Sequence, residues 1–259
     1  MPPPATLPRR RRIVLVLAAL AAMLTAACRV ETTVEVVVSE DGSGEVTVVV
    51  ALDAEALGRV PDVDDDGASD LADVGALVRT DDLVAAGWAV DEPAEADGGG
   101  ASLTLSRAFG TPAEADLILA ELTGPDGALR DLHVTRSASF GRTELGFSGT
   151  ADLSGGLEAF GDEGLAAALD GEPLGQDAAA IEAAAGVPLA EAVTVEITAD
   201  LDEQSESWAP RLGDPPLAMA SDATVYDVPV LVLAGVAVAA AVALIGVLLV
   251  RLLHSRRRT

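Results

Sequence analysis

Asp62, Asp64, Asp66, Asp70 and Asp73 fall at positions 1, 3, 5, 9 and 12 of a twelve-residue run, with Gly67 at position 6. This is the ligand spacing of an EF-hand-type calcium loop. Oxygen ligands alternate along the chain, glycine permits the sharp turn, and the seventh residue, here Ala68, offers its backbone carbonyl. Val74, Leu77 and Val78 follow where an exiting helix would pack. Three features weigh the other way: Ser69 stands at a usually apolar position, Asp73 reaches less far than a glutamate, and no second loop pairs with the first. The chain also carries 42 acidic residues, so such spacings arise readily in a solvated acidic loop. Calcium is the one cofactor the residues suggest, and a cofactor-free acidic loop is the simpler expectation.

Other reactive groups are sparse. Before residue 228 the one histidine is His133, on an expected strand, and lysine is absent from the chain. Cys28 is the only cysteine, so neither a nucleophile with an adjacent base nor an internal disulfide is legible. There is no Gly-x-Ser-x-Gly elbow, phosphate-binding glycine loop or His-Glu-x-x-His pair. Carboxylate pairs abound, but at this acid content every spacing occurs, so a glycosidase reading has little support. Aromatic platforms for a sugar are few: Trp88, Trp208, Tyr226 and four phenylalanines. The expectation is a protein that is not an enzyme.

Cys28 has a different chemistry written around it. Arg9 to Arg12 form a basic segment, Ile13 to Leu24 an apolar one, and Thr25-Ala26-Ala27 lead into the thiol. The apolar stretch is too short for a bilayer core, which needs about 20 residues, but suits a cleaved export signal over 1–27. The lone cysteine after small residues resembles the lipobox of bacterial lipoproteins, which implies a diacylglyceryl thioether on Cys28 and cleavage before it. Thr25 departs from the usual leucine three places upstream.

The far end reads as a second anchor. Val228 to Val250 has 23 residues without a charged or polar side chain. At 1.5 Å per residue such a helix is roughly 34 Å long, enough to span a hydrocarbon core. Arg251, Arg256, Arg257 and Arg258 follow, so 251–259 is expected in the cytoplasm and everything before Val228 outside. Between Cys28 and Asp227 lie eight arginines against all 42 acids, a formal charge of −34. Such a surface repels nucleic acid, so no nucleic-acid partner is expected.

The 28–205 segment must supply the scaffold. Val30–Val38 and Glu45–Leu52 alternate apolar and polar residues around Ser39-Glu40-Asp41-Gly42-Ser43-Gly44, a hairpin signal. Further strands are expected over Trp88–Val90, Ser102–Phe109, Leu129–Arg136, Thr143–Leu153 and Ala192–Leu201. Thr111-Pro112-Ala113-Glu114 is a capping box that opens a helix closing near Leu122. Leu71–Ala86, Gly156–Leu169 and Gln176–Ala185 read as further short helices. The predicted class is α+β, a mainly antiparallel sheet with several short helices, plus one C-terminal transmembrane helix. The stretch 206–227, with Pro210, Pro215 and Pro216, reads as a stalk to the membrane.

Lipobox Cys28, an immediate Val-rich hairpin over Glu-Asp-Gly-Ser-Gly, and a C-terminal span with an arginine tail resemble the LppM family of actinobacterial lipoproteins. Ala86-Gly87-Trp88, Arg107 to Pro112 and Phe147 to Leu153 add to the likeness, which extends from Cys28 to about Arg258. The resemblance implies a cell-envelope protein with an α+β ectodomain, and brings no catalytic motif. Separately, 62–73 resembles half of a dockerin repeat. The expected protein is a cell-membrane lipoprotein whose partners are the membrane and a lipid, glycolipid or envelope protein. A structural or regulatory interaction module without a small-molecule ligand is the alternative, and an envelope hydrolase the third.

Overall fold

The computed structural model describes residues 29–58, 60, 70–77, 81–96, 98–123, 127–156, 182 and 186–256. Strands β1 (Val30–Val38) and β2 (Gly44–Leu52) form the expected hairpin, with Val34 opposite Val48 and Val36 opposite Val46. These four valines are buried together, as period-two alternation requires of a sheet wet on one face. The turn is tied by Asp41, whose Oδ1 accepts from the Ser43 hydroxyl at 2.6 Å and from its N–H at 2.9 Å. Gly42 supplies the positive φ of 86° that the reversal needs.

A short helix α1 (Ala54–Leu57), helices α2 (Leu71–Leu77) and α3 (Asp81–Ala85), and strands β3 (Ala89–Val90), β4 (Ala94–Ala96) and β5 (Gly100–Phe109) follow. Within the helix expected over Leu71–Ala86, Leu71–Leu77 and Asp81–Ala85 are helical, and 78–80 lie outside the described residues. Helix α4 (Pro112–Thr123) opens as its sequence predicts: Thr111 Oγ1 accepts from the Glu114 N–H at 3.3 Å. The Glu114 carboxylate reaches one residue further back than usual, to the Gly110 N–H at 2.7 Å. Ala115, Ile118 and Leu119 form its buried stripe, at the i, i+3, i+4 spacing of one helix face.

Strands β6 (Leu129–Ser139) and β7 (Arg142–Ala151) pair as a hairpin. After a short helix α5 (Leu189–Ala192) come β8 (Val193–Leu201), β9 (Gln204–Trp208), β10 (Leu217–Tyr226) and the long helix α6 (Val228–Arg256). The expected helices over Gly156–Leu169 and Gln176–Ala185 lie outside the described residues, apart from Gly156 and Glu182.

Two sheets result. The larger runs β3-β5-β2-β1-β8-β9, with β4 also paired to β5; the smaller runs β10-β7-β6. All pairings are antiparallel except β1 with β8, where Val30 lies beside Val193 and Val38 beside Leu201. Buried residues of both sheets and α4 share one core, including Val36, Val46, Ile197, Leu201, Leu119, Phe147 and Met219. The Phe147 ring of β7 stacks on Trp208 of β9, centroids 5.8 Å apart, across the seam between the sheets. Burying each large side chain contributes about 1.5–3 kcal/mol before entropy is charged against it. The class is α+β, as expected.

The stalk is corrected. Residues 204–208 and 217–226 are strands, and β10 pairs with β7 over its whole length, from Leu217 opposite Ala151 to Tyr226 opposite Arg142. Pro210, Pro215 and Pro216 lie in the connection between them, where a missing N–H breaks no ladder. The inward positions of β10 are Met219, Ser221 and Ala223, too small and mixed to advertise a buried face. The folded region therefore extends to Tyr226 rather than ending near residue 205.

Candidate functional site

The fold hands over to α6 through a single residue. Asp227 follows β10 directly, and its N–H donates to the Gly141 carbonyl at 3.0 Å, in the turn between β6 and β7. Its Oδ1 accepts from the Val230 N–H at 3.0 Å and its carbonyl from the Leu231 N–H, also at 3.0 Å. Asp227 is thus the N-cap, which satisfies orphan donors at the helix start and sets its negative charge against the positive helix end. Pro229 sits in the first turn, where its absent N–H is no loss. Gly141 has φ 71°, and a Cβ there would stand 2.5 Å from Leu231 Cδ2. Glycine suits both the positive φ of the turn and that approach, which a Cβ would meet only by displacing the Leu231 side chain.

Helix α6 is apolar enough and long enough over Val228–Gly246 to cross a membrane, and none of that window is buried against the fold. Val232, Leu233, Val236, Val238, Val242 and Leu244 are exposed on all sides of it. A helix apolar all round, packed on nothing but its first turn, suits an apolar solvent.

The hairpin turn beside that first turn carries Phe140, 75% exposed. Tyr226, 59% exposed, lies opposite Arg142 in the ladder. Arg142 Nη2 is 3.0 Å from Glu144 Oε1, with both side chains half exposed, and its Nε donates to Ser139 Oγ at 3.2 Å. Further up β6, Arg136 Nε donates to the Glu40 carbonyl at 2.7 Å, which ties the first hairpin's turn to the second hairpin.

Of the sequence-predicted site residues, Cys28, Asp62, Asp64, Asp66 and Ala68 lie outside the described residues. Asp70 and Asp73 are described, and each caps α2. Asp70 Oδ1 accepts from the N–H groups of Ala72 at 2.7 Å and Asp73 at 3.3 Å, while Asp73 Oδ2 accepts from the Asp70 N–H at 3.0 Å. This reciprocal pair fixes where the helix starts, and Asp73 is 1% exposed. Among the described residues no group of three His, Cys, Asp or Glu side chains converges to hold a metal ion.

His133 is a surface residue of β6, its Nδ1 3.2 Å from Asp116 Oδ2. The aromatic inventory splits by burial. Trp88, Phe109 and Phe147 belong to the core and Trp208 stacks in the seam, which leaves Phe140 and Tyr226 as the described rings open to a partner. Two carboxyls are held below the usual carboxylate range. Asp41 is lowered by its bonds from the Ser43 hydroxyl and N–H, and Asp152 by the same pair from Ser154 with help from Arg130. Both serve turns rather than a reaction. The aromatic tip and the helix junction could not be found from sequence, because Gly141 meets Asp227 and Leu231 only once β10 has paired with β7.

No family model matches the sequence, and a comparison with curated proteins gives no match. Among solved structures the chain is similar to the NMR structure of the Mycobacterium tuberculosis LppM protein folded domain. Identity is 12%, coverage is 79% of this chain and 94% of that chain, and the TM-score is 0.37. An overlay so loose carries no argument from one chain to the other about architecture, site or activity.

Proposed function

We propose that this is a cell-envelope lipoprotein, acylated on Cys28, spanning the membrane with α6, and presenting a non-catalytic domain that binds lipid or glycolipid at the outer surface. The observation that supports it is the one-residue junction at Asp227. With no linker between β10 and α6, the domain is held against the membrane rather than extended away from it. A domain so placed meets lipid headgroups first. The reading puts Arg251 to Thr259 in the cytoplasm and the acidic domain outside, in line with the arginine tail.

Mass spectrometry of lipids retained by the detergent-purified full chain tests this reading, with the isolated α6 segment as control. The expected result is one lipid class enriched by the full chain over its share of the membrane and not by the helix alone. Equal lipid profiles would leave the domain as a protein-interaction module.

A further inference from the structure

We infer that the β6–β7 turn, with Phe140 at its tip, is inserted into the interfacial layer of the bilayer that α6 crosses, and fixes the domain's orientation on it. The inference rests on α6 as a membrane span and goes beyond it by assigning lipid contact to the folded domain. Level along the helix is the first argument. The Gly141 carbonyl bonds the Asp227 N–H, and Leu231 packs where a Gly141 Cβ would stand, so the tip lies beside the first turn of the apolar window. A span that begins at Val228 places the neighbouring turn at the headgroup boundary, whatever the tilt of the domain.

Residue chemistry is the second argument. Among the described residues of the folded domain, Phe140 is the most exposed large apolar side chain, at 75%. Tyr226 sits one residue before the helix cap, an amphipathic ring of the kind enriched at membrane–water interfaces. Charge is the third. The ectodomain is strongly acidic, yet from Leu132 to Thr143 no carboxylate occurs, and Arg136 and Arg142 do. Glu144 and Glu40 border the tip from β7 and the first hairpin, and Asp227 is committed to capping. The hairpin tip itself thus carries no carboxylate, with Arg142 placed to meet phosphate oxygens, while the acids that border it, Glu144 and Glu40, lie beside Arg142 and Arg136.

Rigid placement follows. A hairpin bonded to the helix cap on one side and inserted in lipid on the other removes the free swivel that a flexible stalk would allow.

The test is nitroxide depth measurement on the full chain in vesicles of phosphatidylcholine and phosphatidylglycerol, in a Cys28→Ser background so that one label is attached. Labels go at Phe140→Cys, at Val238→Cys in mid-span, and at Glu95→Cys on β4, at the other end of the larger sheet from the turn that meets Arg136, an end that Cys28→Ser also frees of any acyl anchor because Arg29 is bonded to Asp53 there. Label 238 should be open to oxygen and closed to a nickel chelate, label 95 the reverse, and label 140 should side with oxygen, between the two. If label 140 matches label 95 while label 238 stays lipid-embedded, the tip is in water and the inference fails although the span stands. If label 238 is itself nickel-accessible, the span fails and with it the premise. Dipolar broadening at label 140 that vanishes on dilution with unlabelled chain would put the tip against a second copy, which also overturns lipid contact.

Discussion

Asp116 on α4 accepts the backbone N–H of Val134 on β6 at 2.9 Å with Oδ1, and its other oxygen lies 3.2 Å from His133 Nδ1. Among the described strands β6 is an edge, so one row of its N–H groups faces away from β7 and needs other partners. Just upstream the ladder shifts register between Arg130 and His133, with Asp131 at φ 52°, a bulge that returns Leu132 and Val134 to the core after Leu129. The carboxylate thus pins the helix to the strand immediately after the irregularity, and blunts an edge that would otherwise be open to pairing.

Removing that acceptor leaves a partly buried N–H without a bond, so Asp116→Ala should destabilise the fold by about 1–3 kcal/mol. Asp116→Asn keeps an oxygen in place and should cost less. His133→Gln, at an exposed position, should change stability by no more than about 0.5 kcal/mol. Thermal unfolding of the full chain in detergent ranks the three, and an Asn variant as unstable as the Ala variant would shift the weight from the hydrogen bond to charge.

Acid should loosen the turn at Asp152. Its carboxyl is lowered by bonds from Ser154 and by Arg130, so its folded value lies below its unfolded one. The stability it adds is present above the unfolded value and is lost as pH falls below the ordinary aspartate range toward the lower folded value. Asp152→Asn should therefore flatten part of the melting-temperature decline over that acid window and leave its slope above unchanged. A decline of the same steepness in both proteins would assign the acid sensitivity elsewhere.

The proposed acylation at Cys28 should be separable from membrane retention. Cys28→Ser should lose incorporation of a labelled fatty-acid analogue, while α6 keeps the chain in the membrane fraction. Labelling equal to the parent's would remove the lipobox assignment.

Topology gives a fourth outcome. Protease added to cells stripped of wall should digest 29–227 and spare a tag placed after Thr259. Loss of the tag from sealed cells would place the arginine tail outside.

The aspartate run 62–73 separates by cation identity. Calcium bound only to the folded form would raise stability by about 2.7 kcal/mol at a hundredfold excess over Kd. Screening of a solvated acidic loop depends on ionic strength instead. The expected outcome is equal melting shifts from calcium and magnesium at fixed ionic strength, unchanged by Asp62→Ala. A saturable calcium-specific shift, lost in that variant, would make the run a binding loop.

The C-terminal helix and most of the strands were legible because local rules govern them. Val30–Val38 alternates with period two, Thr111 to Glu114 caps a helix by bonds within one turn, and 23 consecutive apolar residues at Val228 have one stable solvent. Strand β10 was misread as a stalk, because Met219, Ser221 and Ala223 bury a face only by lying on β7. The parallel pairing of Val38 with Leu201 was equally hidden, since alternation reports that one face is buried but not which neighbour buries it. The junction at Asp227, the Gly141–Leu231 approach and the placement of Phe140 beside the span depend on contacts between segments far apart in the chain. Sequence determined the period of each strand and the apolar length of the C-terminal helix. Only the tertiary structure decided which segments lie beside that helix, because placement is set by pairings that no local period encodes.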